Sequence, residues 1–366
     1  MSKRRFVDLS ELKKGMCIDQ SIVDSTGRIL VTRGSELEGF HIAEMHNLRI
    51  SGVYIAESDD LLMQEADIQI SPNAQQMVHK LSVEDRPSLM LRENVKKQVA
   101  EGIQFLFNNP DSEGFLEATN AVADDLMTAM VENDAVAVDV NALKVCDEYT
   151  FKHSVDVGSI AMVIGKTMNL PRENIREIGV AGLLHDLGKS KIPNEILNKP
   201  GRLTDEEFAV MKKHSLYGYE MIMDKPGLSQ NIKMGVLQHH EKMGGNGYPM
   251  GVGGSKIGLI GRILSVADVY DALVTERPYK SAFSPRDAVE MIMAMSKDLD
   301  NNVIRAFLRS VILYPVGTVL RLSNGEAVRV VENVEGHPTR PKVVELTTGR
   351  FYDLANDMTC ASLLVP

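Results

Sequence analysis

The sequence of 366 residues predicts a mainly α protein, in which a helical bundle lies between a small β-containing N-terminal module and a β-rich C-terminal appendage. Apolar residues recur with the period of a helix in residues 88–131, and residues 136–312 have a mostly helical pattern. Short segments separated by turn residues occur near both ends of the chain, which favours strands there. At this length two or three domains are expected, because a single core seldom grows so large. The predicted segments are 1–58, 59–135, 136–312 and 313–366.

The N-terminal module, residues 1–58, is predicted to contain a hairpin, a helix and a further strand. Ile18–Val23 and Arg28–Thr32 lie on either side of a turn that contains glycine, which is the pattern of a β-hairpin. A helix is expected from about Glu38 to Leu48, and Gly52–Ile55 is expected to form another strand.

Residues 59–135 are predicted to be an acidic linker followed by connector helices. The stretch from Glu57 to Pro72 is rich in acidic residues and is the predicted linker. Apolar stripes run from Leu91 to Leu106 and from Phe115 to Met130, with a turn at Asn108–Asp111 between them. Burial of both stripes in the core is one interpretation. The other is that they form the interface of a homodimer.

The C-terminal segment, residues 313–366, is predicted to consist of short strands. Thr318–Leu322 and Ala327–Val331 flank an Asn-Gly turn, which favours a hairpin. Lys342–Leu346 and Arg350–Leu354 are expected to form two more strands around a second glycine turn.

Composition argues against several classes of protein. The net charge of −10 disfavours binding to large nucleic acids, because phosphate contacts need a basic surface. The three cysteines are far apart, which fits buried reduced thiols better than disulfides or a cysteine-based zinc site. The basic N-terminus is not followed by the apolar stretch of a signal peptide, and no segment approaches the length of a membrane span. A soluble cytoplasmic protein without a membrane partner is expected.

Histidines and aspartates beside apolar or glycine-rich stretches of the helical region suggest a metal centre with more than one ion. Each is weak alone, since a buried histidine is more often a core residue than a ligand. Asp268 lies in an otherwise apolar helix, and a buried carboxylate needs a cation or a close hydrogen-bond partner. The candidate residues are His153, His185, Asp186, His214, His239, His240 and Asp268.

A glycine-rich loop follows two of these histidines directly. Gly244, Gly245 and Gly247 let the backbone come close to a ligand, and we expect the loop to place Tyr248 over the pocket. A helix C-cap followed by a turn is the structural alternative. That alternative does not explain why two histidines precede the loop.

Two basic residues follow Asp268 in the same segment. Asp271 lies one helical turn beyond Asp268, and Arg277 and Lys280 come at the end of the helix. Cations beside a metal-carboxylate site suit an anionic substrate, since Arg binds phosphate oxygens with a forked geometry. A solvated surface pair is the alternative.

Several separated motifs resemble those of one known family. HDLGKSKIP, HHEKMGGNGYPMGVGG and ILSVADVYDALVTERPYK occur in that order, and they resemble the HD-GYP branch of the HD-domain metal-dependent phosphohydrolases over about residues 136–312. The resemblance implies an HD-type helical bundle. It also implies an enzyme that hydrolyses the bacterial second messenger cyclic di-GMP to the linear dinucleotide pGpG, and often onward to GMP.

The resemblance also implies roles for individual residues. One ion is expected on His153, His185, Asp186 and Asp268, and a second on His214, His239 and His240, with Asp186 bridging; iron and manganese are the metals implied. Asp186 and Lys189 are the implied catalytic residues. Residues implied to contact substrate are Lys189, Tyr248, Asp271, Arg277 and Lys280. Tyr149 stands where some relatives have a Glu for a third metal, so two ions are favoured. Gly244 stands where many relatives have an Asp, which leaves the loop without a side-chain anchor at that position.

Three hypotheses follow. The first is a cyclic di-GMP phosphodiesterase, in which two ions lower the pKa of a bridging water so that hydroxide attacks phosphorus. The second is an HD phosphohydrolase for another nucleotide. The third is a weakly active sensor that binds cyclic di-GMP or a signalling protein.

Overall fold

The computed structural model describes residues 70–89, 93–132, 149–199, 201–275 and 282–365 without a break. It also describes short stretches and single residues within 4–56 and 135–139. Arg277 and Lys280, and most of the predicted linker from Glu57 to Pro72, lie outside the described residues.

The described part of the N-terminal module contains two pairs of antiparallel strands. They are β1 (Arg4–Asp8) with β4 (Gly52–Ala56), and β2 (Ile22–Val23) with β3 (Ile29–Val31). The predicted hairpin and the predicted strand at Gly52 are confirmed, whereas β1 was not predicted. Met45, inside the predicted helix, is helical and buried. It packs in a small apolar cluster with Val7, Leu37 and Val53.

The predicted mainly α fold is confirmed by twelve helices among the residues that the structure describes between positions 72 and 310. Side chains of Ser71, Thr204, Ser229, Ser284 and Asp300 cap the helices that follow them by accepting backbone N–H bonds. The helices are α1 (Pro72–Leu81), α2 (Glu93–Asn108), α3 (Phe115–Glu132), α4 (Tyr149–Thr167), α5 (Arg172–Leu184), α6 (Asn194–Leu197), α7 (Asp205–Met211), α8 (His214–Ile222), α9 (Gln230–Gln238), α10 (Leu259–Val274), α11 (Pro285–Ala294) and α12 (Asn301–Ser310).

The main hydrophobic core is one continuous cluster that extends from Leu89 to Val365. Helices α4, α5, α9 and α10 pack together at its centre. The apolar stripes of α2 and α3 face the same core, where Ile103 and Leu126 are fully buried. The structure therefore agrees with core packing of these stripes. Dimerisation stays a prediction. No helix within the described ranges combines the length and apolar character needed to cross a membrane.

The predicted C-terminal strands are confirmed as a four-stranded antiparallel sheet, in which each strand pairs with the next one along the chain. A short parallel pair, β5 (Val138–Asp139) with β6 (Val311–Ile312), lies at the end of α12. The four strands of the sheet are β7 (Val319–Arg321), β8 (Ala327–Glu332), β9 (Lys342–Glu345) and β10 (Phe351–Asp353).

Helix α1, which was not predicted, packs against the C-terminal sheet, and the residues that follow it bond to the same part of the chain. The amide of Val83 donates to the carbonyl of Val331 at 2.8 Å. The carboxylate of Asp85 accepts from the amide of Val316 at 2.6 Å and from the side chain of Asn333 at 2.7 Å. The C-terminal strands thus share hydrogen bonds and core with the helical part of the chain.

Candidate metal centre

The seven candidate ligands come from the ends and faces of five helices that meet in the core. His153 lies on α4 and Asp268 on α10, while His214 is the first residue of α8. The His185-Asp186 pair directly follows α5, and the His239-His240 pair directly follows α9. All except His240 are buried, and the side chain of His240 is 25% exposed. The open side of the centre is therefore at His240.

Gly188 explains how Asp186 comes close to His214. Leu187–Lys191 form a 3-10 helix that packs directly against α8. A Cβ at position 188 would clash with the carbonyl oxygen of His214 and with the amide of Gly218. Only glycine therefore permits this approach, which places the residue before the 3-10 helix beside the first residue of α8.

Backbone carbonyls orient three of the imidazoles in the same way. His185, His214 and His239 each bond through Nδ1 to the carbonyl of the residue three positions earlier, at 2.7, 2.8 and 2.7 Å. A carbonyl can only accept, so Nδ1 carries the hydrogen and Nε2 of the neutral ring presents its lone pair. Metal-binding histidines are usually held in this manner.

The lone pairs of two of these rings face each other. Nε2 of His214 lies 3.2 Å from Nε2 of His239. Burial lowers the pKa of both histidines, that of His239 to well below its usual value, so both rings are neutral at pH 7. Two buried acceptors cannot satisfy each other. A cation between the two nitrogens would interact favourably with both lone pairs. The two imidazoles therefore fit the role of metal ligands.

Asp186 lies between two groups of histidines. Its Oδ2 is 3.4 Å from Nε2 of both His153 and His185, and its Oδ1 is 3.5 Å from Nε2 of His214. Lys189 donates to Oδ2 at 2.6 Å. Burial alone would raise the pKa of Asp186, but the electrostatic interactions of its carboxylate with His185 and Lys189 hold that pKa well below its usual value. An ionised carboxylate with its two oxygens directed apart can bridge two cations.

Like Asp186, Asp268 lies between the two groups of histidines. Its Oδ1 lies 3.2 Å from Nε2 of His153, and its Oδ2 lies 3.7 Å from Nδ1 of His240. The structure therefore brings all seven candidate ligands into one cluster. Three sets have ligand atoms within 4.8 Å of one another, namely His153, His185 and Asp268; His214, His239 and His240; and His185, Asp186 and His239.

The carboxylates around His153 favour the protonated form of its imidazole. Burial acts to lower the pKa of His153, but hydrogen bonds with Asp268 and Asp271 overcome that effect and raise the pKa to about 10. Burial lowers the pKa of His240 to about 3, so that ring is neutral. In the metal-free protein at neutral pH, His153 is therefore protonated and His240 is not.

Asp271, implied by the resemblance to contact substrate, lies on the Nδ1 side of His153. Its Oδ2 is 2.6 Å from Nδ1 of His153, and its Oδ1 accepts from Thr275 at 3.3 Å. Asp271 is only 4% exposed. This geometry orients His153, and the contact with substrate stays a prediction, as it does for Arg277 and Lys280 outside the described residues.

Tyr248 lies over the open side, as the sequence predicts. Its ring centroid is 4.6 Å from that of His240 and 6.3 Å from that of His214. Burial raises the pKa of Tyr248 far above its usual value, so the phenol stays neutral. Gly247 allows the loop to fold back, since a Cβ there would lie 2.5 Å from the carbonyl oxygen of His240.

Glu241 anchors the glycine loop and was not among the predicted site residues. It is 2% exposed, and its carboxylate accepts from the amides of Met250 at 2.6 Å and Val252 at 3.1 Å. The sequence predicted that Gly244 leaves the loop without a side-chain anchor at that position. Glu241 supplies an anchor from the opposite end of the loop. Its place directly after His239-His240 was the available signal.

The helical region is similar to known proteins. Residues 137–303 match the HD domain family model. A cyclic di-GMP phosphodiesterase of Pseudomonas aeruginosa is 37% identical over 211 residues, which is 58% of this chain and 51% of that relative. A cyclic di-GMP phosphodiesterase response regulator of Xanthomonas campestris is 42% identical over 156 residues, covering 41% of this chain and 40% of the relative.

A relative with another named substrate is also similar. It is a 3′3′-cGAMP-specific phosphodiesterase of Vibrio cholerae, 30% identical over 193 residues, which is 52% of this chain and 42% of the relative. The chain spans about half the length, or less, of these curated relatives.

Proposed function

We propose that this chain is an enzyme that hydrolyses cyclic di-GMP to pGpG, with GMP as a further product, and that residues 137–303, which match the HD domain family model, form its catalytic region. The position of Asp186 carries the proposal, because its two oxygens face two separate groups of histidines. The similarity to the phosphodiesterase of Pseudomonas aeruginosa supports the same substrate.

Two divalent ions, iron or manganese, are the proposed cofactors, since imidazole and carboxylate ligands suit both metals. When bound, such ions make hydroxide available near neutral pH and neutralise negative charge on phosphate oxygens. The proposed ligands of one ion are His153, His185, Asp186 and Asp268, and those of the other are His214, His239, His240 and Asp186.

Lys189 is proposed to donate hydrogen bonds to both the carboxylate of Asp186 and the substrate. Its ammonium lies 2.6 Å from Oδ2 of Asp186, and its side chain is 28% exposed. An ammonium has three hydrogens to donate, so Lys189 can hold Asp186 and still donate to a phosphate oxygen. A cation fixed at that position stabilises negative charge that develops on the phosphate during hydrolysis.

Tyr248 is proposed to donate a hydrogen bond to the substrate. Because its phenol is neutral, Tyr248 keeps its hydrogen at physiological pH. Its position over His240 places it at the open side of the centre. The ring also covers part of the centre, which reduces the access of water to the ligands.

The experiment that tests this function is anaerobic purification, loading with iron or manganese, and chromatography of the products formed from cyclic di-GMP. We expect pGpG first and GMP later. Asp186→Asn should abolish turnover and reduce the bound metal, whereas Asp224→Asn, at an exposed position just after α8, should change neither. Failure of the metal-loaded wild type to form pGpG would contradict the proposal.

A second candidate substrate is 3′3′-cGAMP, favoured by the similarity to a phosphodiesterase specific for it. The same metal ligands would serve both cyclic dinucleotides, since the two share the phosphodiester bonds that are cleaved. A comparison of kcat/KM for the two substrates decides between them. A higher kcat/KM for 3′3′-cGAMP would show that 3′3′-cGAMP, and not cyclic di-GMP, is the preferred substrate.

A further inference from the structure

An exposed aromatic ring extends the site beyond Tyr248. Phe208, on α7, is 46% exposed to solvent. Its ring centroid lies 6.4 Å from that of Tyr248, with the two planes at 83°. Tyr248 in turn lies over His240. The three rings form a row that leads from the metal ligands towards the surface.

The helix that carries Phe208 is firmly anchored. Thr204 and Glu207 form a capping box at its start, and Lys199 bonds to the carboxylate of Glu207 at 2.6 and 2.8 Å. The amide of Phe208 donates to the carbonyl of Thr204 at 2.8 Å. Phe208 is thus a large apolar side chain held half exposed on a fixed backbone next to the site.

Phe208 also carries a cation close to its ring. The ammonium of Lys212 lies 5.0 Å from the ring centroid, within the range of a cation–π contact. An aromatic ring supplies a stacking surface for a base, and an adjacent ammonium supplies a donor for the carbonyl oxygen or ring nitrogen of that base. The pair therefore has the chemistry to recognise a purine nucleotide.

We infer that Phe208, together with Tyr248, forms a stacking subsite for one purine base of a cyclic dinucleotide. The inference rests on the proposed function. The metal ligands and Lys189 account for a phosphodiester, but they offer no surface to a nucleobase. Phe208 supplies such a surface, because bases stack on aromatic side chains with little dependence on base identity.

The expected effect of Phe208→Ala follows from the strength of stacking. Loss of one base–aromatic stack weakens the binding of a nucleotide about tenfold. We therefore expect KM for cyclic di-GMP to rise about tenfold, with kcat within about twofold of wild type and with unchanged metal content. Phe208→Tyr should retain the wild-type KM. Hydrolysis of bis(p-nitrophenyl) phosphate, which has no purine base, should be unaffected.

Phe105→Ala is the matched control. Phe105 is 40% exposed and lies on α2, where its ring approaches Gly114 in the turn that leads to α3. The two substitutions remove the same side chain at similar exposure. Only the change at position 208 should affect KM for cyclic di-GMP.

Fluorescence gives a second readout that does not depend on turnover. The chain contains no tryptophan, so Phe208→Trp introduces a single fluorophore at the proposed subsite. With a hydrolysis-resistant phosphorothioate analogue of cyclic di-GMP, saturable quenching is expected for Phe208→Trp and none for Phe105→Trp, both in the metal-loaded protein.

The outcomes separate this inference from the proposed function. If wild type hydrolyses cyclic di-GMP and Phe208→Ala leaves its KM unchanged, the subsite is wrong while the function stands. Equal losses on cyclic di-GMP and bis(p-nitrophenyl) phosphate also overturn the subsite, because they show a structural effect. If wild type is inactive, the proposed function fails, and absence of quenching in Phe208→Trp overturns the subsite independently.

Discussion

Nδ1 of His153 donates to Oδ2 of Asp271 across 2.6 Å, while Nε2 of the same ring faces Asp268 and Asp186. Asp271 therefore fixes which nitrogen of His153 is directed at the proposed ion. Carboxylates in this position increase the basicity of the imidazole and hold its orientation.

Replacing Asp271 should weaken metal binding. Asp271→Ala is expected to lower metal affinity by about 10- to 100-fold, because His153 loses the acceptor that orients it. Asp271→Asn should be milder, since an amide oxygen can still accept from Nδ1. Metal titration of the three proteins checks this, with Thr275→Ala as the control. Unchanged affinity in Asp271→Ala would contradict the assigned role.

Metal affinity should increase with pH. With its pKa raised to about 10, His153 is protonated in the metal-free protein at neutral pH, and an ion must displace that proton. His214, His239 and His240 have lowered pKa values and bring no proton to displace. We expect the manganese affinity to rise about tenfold per pH unit from pH 6.5 to 8.5.

Manganese affinity measured over the same pH range on His153→Gln tests whether the displaced proton comes from His153. Because glutamine does not titrate, the affinity of that variant should be weaker at every pH and nearly independent of pH. A wild-type affinity that is constant over this interval would show that no proton is displaced.

Gly188 should be intolerant of a side chain. Gly188→Ala is expected to destabilise the protein by about 1–3 kcal/mol, because the methyl group would force the 3-10 helix away from His214. It should also reduce metal content, since Asp186 moves with that helix. Gly114→Ala is the control, where the added Cβ has only an ordinary contact at 3.8 Å with Phe105. Thermal unfolding and metal analysis measure both effects.

Glu241 should matter for substrate and not for metal. Glu241→Ala leaves the amides of Met250 and Val252 without their acceptor, which costs about 1–3 kcal/mol for each amide that stays buried. A loosened loop displaces Tyr248, so KM for cyclic di-GMP should rise while metal content stays at the wild-type value. Glu220→Ala, at an exposed position on α8, should behave as wild type. Loss of metal in Glu241→Ala would show a different role for Glu241.

Much of the fold could be predicted from the sequence because its signals are local. The stripes from Val99 to Leu106 and from Phe115 to Met130 have a helical period, and the Asn-Gly turn marks the hairpin of β7 and β8. Helix α1 was missed because its surroundings are acidic and its main partners, β8 and β9, lie more than two hundred residues away. β1 was missed for a similar reason, since its partner β4 is distant in sequence.

The site could be predicted only in part. The seven candidate ligands were named from their positions beside apolar or glycine-rich stretches, and the structure brings them together. Their division between two ions was implied only by motif resemblance. The role of Asp271 depends on its contact with Nδ1 of His153, which no local pattern reveals. For Glu241 the one local signal was its place directly after His239-His240, and that signal does not show that the carboxylate accepts from the backbone of Val252. Phe208 had the same limitation, because a half-exposed phenylalanine on a helix resembles an ordinary core residue in sequence.

The most direct test of the central claim is the rate of pGpG formation as iron or manganese is titrated anaerobically into metal-free protein. If Asp186 bridges two ions, the rate should reach its maximum at two ions per chain, and Asp186→Asn should show no comparable rise. A maximum at one ion per chain, or no pGpG at any metal concentration, would contradict the proposed centre.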